Sequence, residues 1–181
     1  MTPLPELAER SHFLIENARF MTLATHGPEG AWASTVNYVP LRQPLRLLWY
    51  SMRQARHSRN IEADPQVSGS VYLTGLPGLG LDGAQFTATA RPVGPDELQE
   101  LSDWYYERNF PDESVRRQWL LPPGEFRDEG PRRFYLLEVH RWWLLDIDRW
   151  LADKKDQRVA VPLDVLAGRP IARSDGPAGA R

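Results

Sequence analysis

Two rhythms of hydrophobic and polar positions divide the chain. Over residues 4–18, Leu7, Ala8, Leu14, Ile15 and Ala18 recur at helical spacing, with Glu6 and Glu9 in the first turns, where negative charge favours a helix. A helix that lids a barrel or sheet is predicted there. Residues 20–25 (FMTLAT) and 31–39 (AWASTVNYV) then read as strands, and the turn residues His26-Gly27-Pro28-Glu29-Gly30 between them make a hairpin. Residues 45–51 (LRLLWYS) form a third strand after a turn around Pro40 to Pro44. Residues 53–64 (RQARHSRNIEAD) are polar and helix-compatible, and Pro65 stops them.

Residues 67–74 resume as a strand, and in residues 84–93 Phe86, Ala88 and Ala90 alternate with Gln85, Thr87, Thr89 and Arg91. Pro95-Asp96-Glu97 starts a helix that runs through Trp104, Tyr105 and Tyr106, and a shorter helix is expected over residues 112–119. Residues 133–146 (RFYLLEVHRWWLLD) are the last long strand, with a bend expected near Val139-His140. After Trp150 the chain is polar apart from residues 159–163, and its Gly/Ala/Pro/Arg/Ser-rich end, residues 167–181, reads as disordered. The expected architecture is mainly β with peripheral helices, a six-stranded antiparallel split β-barrel; it fills residues 1–150, and residues 151–181 form a C-terminal extension.

Composition narrows the chemistry. A total of 181 residues suffices for one domain, and 22 Lys+Arg against 24 Asp+Glu leave a net charge of -2, which argues against a polyanion as the main partner. No apolar run approaches the about 20 residues of a membrane helix. The first residues, with Pro3, Pro5, Glu6 and Glu9, lack the basic start and apolar core of a signal peptide, so a cytoplasmic location is expected. Zero cysteines exclude disulfides, thiolate catalysis and Cys-ligated zinc. Lys154 and Lys155 are the sole lysines; the arginine excess suits phosphate binding and equally suits a GC-rich genome.

Among motifs, Gly78-Leu79-Gly80-Leu81-Asp82-Gly83 spells G-x-G-x-x-G, but a strand rather than a helix is expected after it, so it reads as a loop. His12, His26, His57 and His140 form no pair at metal-ligand spacing, and no metal site is expected. The polar insert after the third strand is richer: Ser51, Arg53, Arg56, His57, Arg59 and Asn60 lie within ten positions. Arginine forks, a hydroxyl at a strand end and a nearby helix start are the ingredients of a phosphate monoester site, or of a solvated helix face.

The order of these pieces resembles the FMN-binding split-barrel superfamily, the pyridoxamine 5'-phosphate oxidase-like proteins. The resemblance is carried by the hairpin MTLATHGPEGAWASTVNYV, by LLWYSMRQARHSRNIEADPQVSGSVY, by QFTATARPV and by the helix PDELQELSDWYYERNFP. It implies a homodimeric flavoprotein, an FMN-dependent oxidoreductase acting on a small molecule, with FMN at a site shared between subunits. Arg56 and His57 match the family's Arg-Lys pair at the FMN phosphate, with His57 in place of the usual Lys. Ser51 matches a strand-end hydroxyl that reaches the flavin or its phosphate. Asn37, Tyr38 and Val39 would border the isoalloxazine ring, Gln85 matches a Gln that approaches it, and Trp142 matches a late-strand aromatic; for Tyr38, Val39 and Trp142, plain packing is the alternative. No side chain need act as nucleophile or base. The resemblance departs at Asp146-Ile147-Asp148-Arg149-Trp150-Leu151, where the family's vitamin B6 oxidases carry Arg-x-His and this chain has no His.

Two other readings remain open. A split barrel could hold flavin or haem for storage or sensing, with His26 or His140 as axial ligand. A small barrel with exposed aromatics and arginines could also bind single-stranded nucleic acid, against which the net charge speaks.

Overall fold

The computed structural model describes residues 2–78 and 80–167. Of the stretch expected to be disordered, everything from residue 168 onward lies outside the described residues. The elements are α1 (Leu4–Asn17), β1 (Phe20–Gly27), β2 (Gly30–Asn37), β3 (Val39–Arg42), β4 (Leu45–Met52), α2 (Arg56–Ala63), β5 (Gln66–Thr74) and β6 (Leu81–Pro92). They continue with α3 (Pro95–Asn109), α4 (Glu113–Trp119), β7 (Arg132–Leu145), α5 (Ile147–Asp153), β8 (Arg158–Ala160) and α6 (Leu163–Ala167). The strands form one antiparallel sheet in the order β2-β1-β5-β6-β7-β4-β3, with β8 added on β7.

Among the described residues eight strands stand where six were expected. One extra strand arises because the run over residues 31–39 breaks at Tyr38, whose N–H bonds Arg19 O at 3.1 Å instead of a strand partner. The chain thereby changes partners: β2 pairs with β1, and β3 pairs with β4. The other is β8, built from part of the apolar run after residue 158. The expected C-terminal extension therefore folds back onto the barrel, where Val161 and Leu166 are buried in the main core. Buried Arg42 pairs with Glu16 and donates to Leu166 O at 3.2 Å, fastening α6.

Alternation along the strands feeds two cores. Leu47 and Trp49 of β4 point inward to meet Leu23, Phe86, Leu137, Trp142 and Leu144, with α1 closing the end through Leu7, Leu14 and Ile15. Leu48 and Tyr50 point outward and meet Phe134 and Leu136 of β7, Tyr105 and Tyr106 of α3, and Phe126. Each large side chain so buried contributes roughly 1.5–3 kcal/mol. Gly69 in β5 is required by close packing, because a Cβ there would lie 2.5 Å from the Phe86 ring and 2.4 Å from Thr22 O. The bend expected near Val139-His140 is a bulge: Thr87 pairs with Arg141 and Ala88 with Val139, leaving His140 without an opposite residue. After the G-x-G-x-x-G spelling the chain enters a strand, β6, so no helix N-terminus stands there to bind an anion.

Candidate functional site

The sheet leaves a gap between two edges. β2 is one edge of the sheet, and β3 flanks β4 only as far as Leu48, so from Trp49 to Met52 β4 has β7 on one side and no strand on the other. The helix α2 lies at this gap and closes it with polar side chains. His57 is 8% exposed, with Nδ1 3.0 Å from Ser34 Oγ on β2 and Nε2 2.7 Å from Ser51 Oγ on β4. One imidazole thus spans the split. Burial lowers its pKa below the ordinary value of 6.5. The neutral ring has one donor and one acceptor nitrogen, and a serine hydroxyl satisfies either.

Alternation explains why these residues converge. Ser34 is opposite inward-facing Leu23 in the hairpin, and Trp32 is opposite Thr25, so both β2 side chains share the inward face. Asn60, one helical turn after His57, donates to Thr25 Oγ1 at 3.0 Å. A Cβ on Gly27 would lie 2.1 Å from Asn60 Oδ1, so glycine at that position lets α2 approach the hairpin. Ser58 Oγ donates to Met52 O at 2.8 Å, tying the helix to the end of β4.

The start of α2 carries no side-chain cap. Its N-cap is Ala55, which offers no side-chain acceptor to the first-turn N–H groups. Those groups carry the positive end of the helix dipole. Arg56 stands on the same turn, its guanidinium 4.5 Å from the Trp32 ring centre and its Nη2 donating to Glu29 O at 2.7 Å. Its Nε is buried without a hydrogen-bond acceptor, and the Glu29 carboxylate lies 3.5 Å away. Unspent helix N–H groups, an orphaned guanidinium nitrogen and the Ser51 hydroxyl are the donors a phosphate monoester needs.

Of the residues singled out in the sequence, the structure brings Ser51, Arg56 and His57 together and places the others elsewhere. Trp142 is 1% exposed, lies parallel to Phe86 with ring centres 6.3 Å apart, and donates from Nε1 to Ser11 Oγ at 3.0 Å. Val39 belongs to the outer core beside α3. Tyr38 is buried with its hydroxyl unpartnered, and burial together with nearby Glu16 raises its pKa. The Asn37 amide is fully engaged, accepting from Tyr105 OH at 2.8 Å and donating to Arg19 O at 2.8 Å. Tyr38, Val39 and Trp142 thus make packing contacts within this chain. Gln85 is exposed on the outward face of β6, in a groove of about 520 Å³ lined also by Thr22, Ala24, Ser68, Thr87 and Trp143.

Sequence reading missed Ser34, Trp32, Thr25 and Glu29. The strand alternation of Trp32 and Ser34 puts both on one face, but nothing local shows that α2 covers that face. His26 and His140 are exposed on β1 and β7, with His140 Nε2 3.0 Å from Thr89 Oγ1. Among the described residues no group of three His, Asp or Glu side chains is placed to hold a metal, and no helix is long and apolar enough to cross a membrane.

An antiparallel barrel split along one side, with a polar helix across the split, defines the class: this is a split-barrel protein of the pyridoxamine 5'-phosphate oxidase-like kind. The family model for pyridoxamine 5'-phosphate oxidase matches residues 7–146, and the chain belongs to that family. Comparison with curated proteins gives no match. Solved structures share the fold at low identity. A haem binding protein from Mycobacterium smegmatis aligns at a TM-score of 0.65 and 19% identity over 92% of this chain, which spans 62% of that protein. HutZ, the haem storage protein from Vibrio cholerae, aligns at 0.56 and 20% identity, covering 80% of this chain and 95% of that one. An FAD-binding protein from Mesorhizobium loti aligns at 0.55 and 16% identity, covering 72% and 87%.

Proposed function

We propose that this protein is an FMN-binding flavoprotein, an oxidoreductase for a small-molecule substrate, working as a homodimer with its cofactor sites shared between subunits. The observation that carries the reading is the corner at α2, where an uncapped helix N-terminus, the orphaned Nε of Arg56 and the Ser51 hydroxyl stand together. These donors fit a flavin phosphate. Bound FMN supplies two-electron chemistry. The protein's own residues bind and orient: Arg56, Ser51 and the first-turn N–H groups of α2 hold the phosphate, and Gln85 faces the ring edge. Dimerisation is supported by the outward face of β1, β5 and β6, where small and polar side chains line an open groove. The reading stops short of a vitamin B6 substrate, because Arg149 pairs with Asp153 at 3.4 Å and no His follows it.

Titration of the purified protein with FMN and with riboflavin, followed by flavin absorbance and fluorescence, tests this. Arg56→Ala removes one charge-assisted contact of about 1.5–3 kcal/mol, which weakens FMN roughly 10- to 150-fold and leaves riboflavin unchanged. No spectral change on adding FMN, or full FMN affinity in Arg56→Ala, refutes the assignment. Light scattering with and without FMN checks the dimer.

A second reading, haem storage, is favoured by the likeness in fold to the haem binding and haem storage proteins. His140 lines a recess of about 410 Å³ with Trp143 and Val161. A Soret band on haem titration that disappears in His140→Ala or His26→Ala supports this reading over the first.

A further inference from the structure

The Ser34–His57–Ser51 chain does more than close the split. Each serine hydroxyl has one proton, so the state of the imidazole decides which way Ser51 points its own. If Nε2 accepts, the Ser51 proton is spent on the ring and only lone pairs face a ligand. If Nε2 carries a proton, Ser51 accepts from the ring and its O–H is free to donate outward. In the imidazolium both nitrogens donate, so Ser34 and Ser51 both become acceptors toward the ring and the second arrangement is the sole one available.

We infer that capture of a phosphate dianion beside Ser51 is coupled to uptake of one proton by His57, with Ser34 as the positioning residue that stabilises the cation at Nδ1. The inference rests on the phosphate site proposed above. The geometry sets its terms. Ser34 and Ser51 are the hydrogen-bond partners of His57, at 3.0 and 2.7 Å, and neither carries charge. Around it on β1 and α2, Thr25 and Asn60 are neutral and bonded to each other. Of the charged groups at this corner, Arg53 pairs with Glu129 and Arg59 bonds the Gln54 carbonyl, while Arg56, whose Nε lies 3.5 Å from the Glu29 carboxylate, is the phosphate ligand proposed above. From β7, Arg133 bonds the carbonyls of Asp128 and Gly130, and Tyr135 lies near Ser58. Burial favours the neutral form of His57, and an anion beside Ser51 favours the cation. A lysine at this position would remain charged throughout; histidine makes the grip on phosphate depend on pH.

The test is the FMN dissociation constant from about pH 5.5 to 8.5, measured by flavin fluorescence quenching, with riboflavin in parallel. Wild type should lose FMN affinity as pH rises, by up to about tenfold per pH unit for one coupled proton. His57→Lys and His57→Gln retain the phosphate's own ionisation near pH 6 (about 6) and should lack the rest of the slope; riboflavin should be pH-independent. Ser34→Ala should flatten the profile, and Ser34→Thr, which restores the hydroxyl, should recover it. Superimposed profiles for wild type and His57→Gln overturn the inference while leaving FMN binding intact. If FMN fails to bind at any pH, the cofactor reading falls, and imidazole NMR with inorganic phosphate still decides the proton: His57 becoming cationic on adding phosphate supports the coupling, and His57 staying neutral overturns it.

Discussion

The inside of the barrel and the corner at α2 are both enclosed, yet they are filled in opposite ways. The interior around Trp49, Phe86 and Trp142 is packed ring against ring, with a polar tie from Trp142 Nε1 to Ser11 Oγ. The corner is closed by an imidazole between two hydroxyls, an amide on a threonine and an arginine over a tryptophan. Apolar packing is non-directional and so sets shape. A hydrogen-bonded closure can exchange partners, which is what a ligand site needs. The difference separates the part of this molecule that stabilises from the part proposed to bind.

Perturbing each region should therefore give different readouts. Trp142→Ala should be the most damaging change, about 3–5 kcal/mol of unfolding free energy, seen in urea denaturation. If it instead abolished FMN binding without loss of stability, the comparison would break. Ser11→Ala leaves the buried indole N–H without an acceptor and should cost about 1–3 kcal/mol. Arg56→Ala should change stability by no more than about 1 kcal/mol, because its partner Glu29 is largely exposed; its effect belongs in the FMN affinity. The mildest perturbation is pH. Because burial lowers the pKa of His57, the unfolded chain binds its proton more readily, and stability declines as pH falls from about 6.5 toward the lowered folded value. Tm between those limits in phosphate-free buffer should fall with pH in wild type, and His57→Gln should remove that component.

The same contrast governs what was legible beforehand. Helix α1, the β1–β2 hairpin and strands β4 to β7 announce themselves through spacing and turn residues, because alternation and helical period are set by chain neighbours. The polar insert at Arg56 and His57 was legible as a cluster of donors for the same reason: they lie within ten positions. The break at Tyr38 was not, since it depends on an N–H reaching Arg19 O on the preceding connection. Strand β8 was hidden because three residues carry too little pattern to distinguish a strand from a loop.

Trp142 shows the limit most sharply. In the sequence it is one of a pair of adjacent tryptophans, and only strand parity tells them apart: Trp142 turns inward onto Phe86, and Trp143 lines the outward groove with Gln85. A one-residue change of register exchanges the two faces, and the bulge opposite His140 makes such a change within the same strand.

By itself, then, the sequence determined the split-barrel family, the order of the longer elements and the place of the polar helix α2, since each shows in local pattern. The tertiary structure decided that Ser34 and Ser51 meet on the two sides of His57 and that the late chain returns to the barrel. The physical reason is distance along the chain. Ser34 lies 23 residues from His57 and on a different edge of the sheet from Ser51, and only closure of the barrel brings those edges within reach of one imidazole.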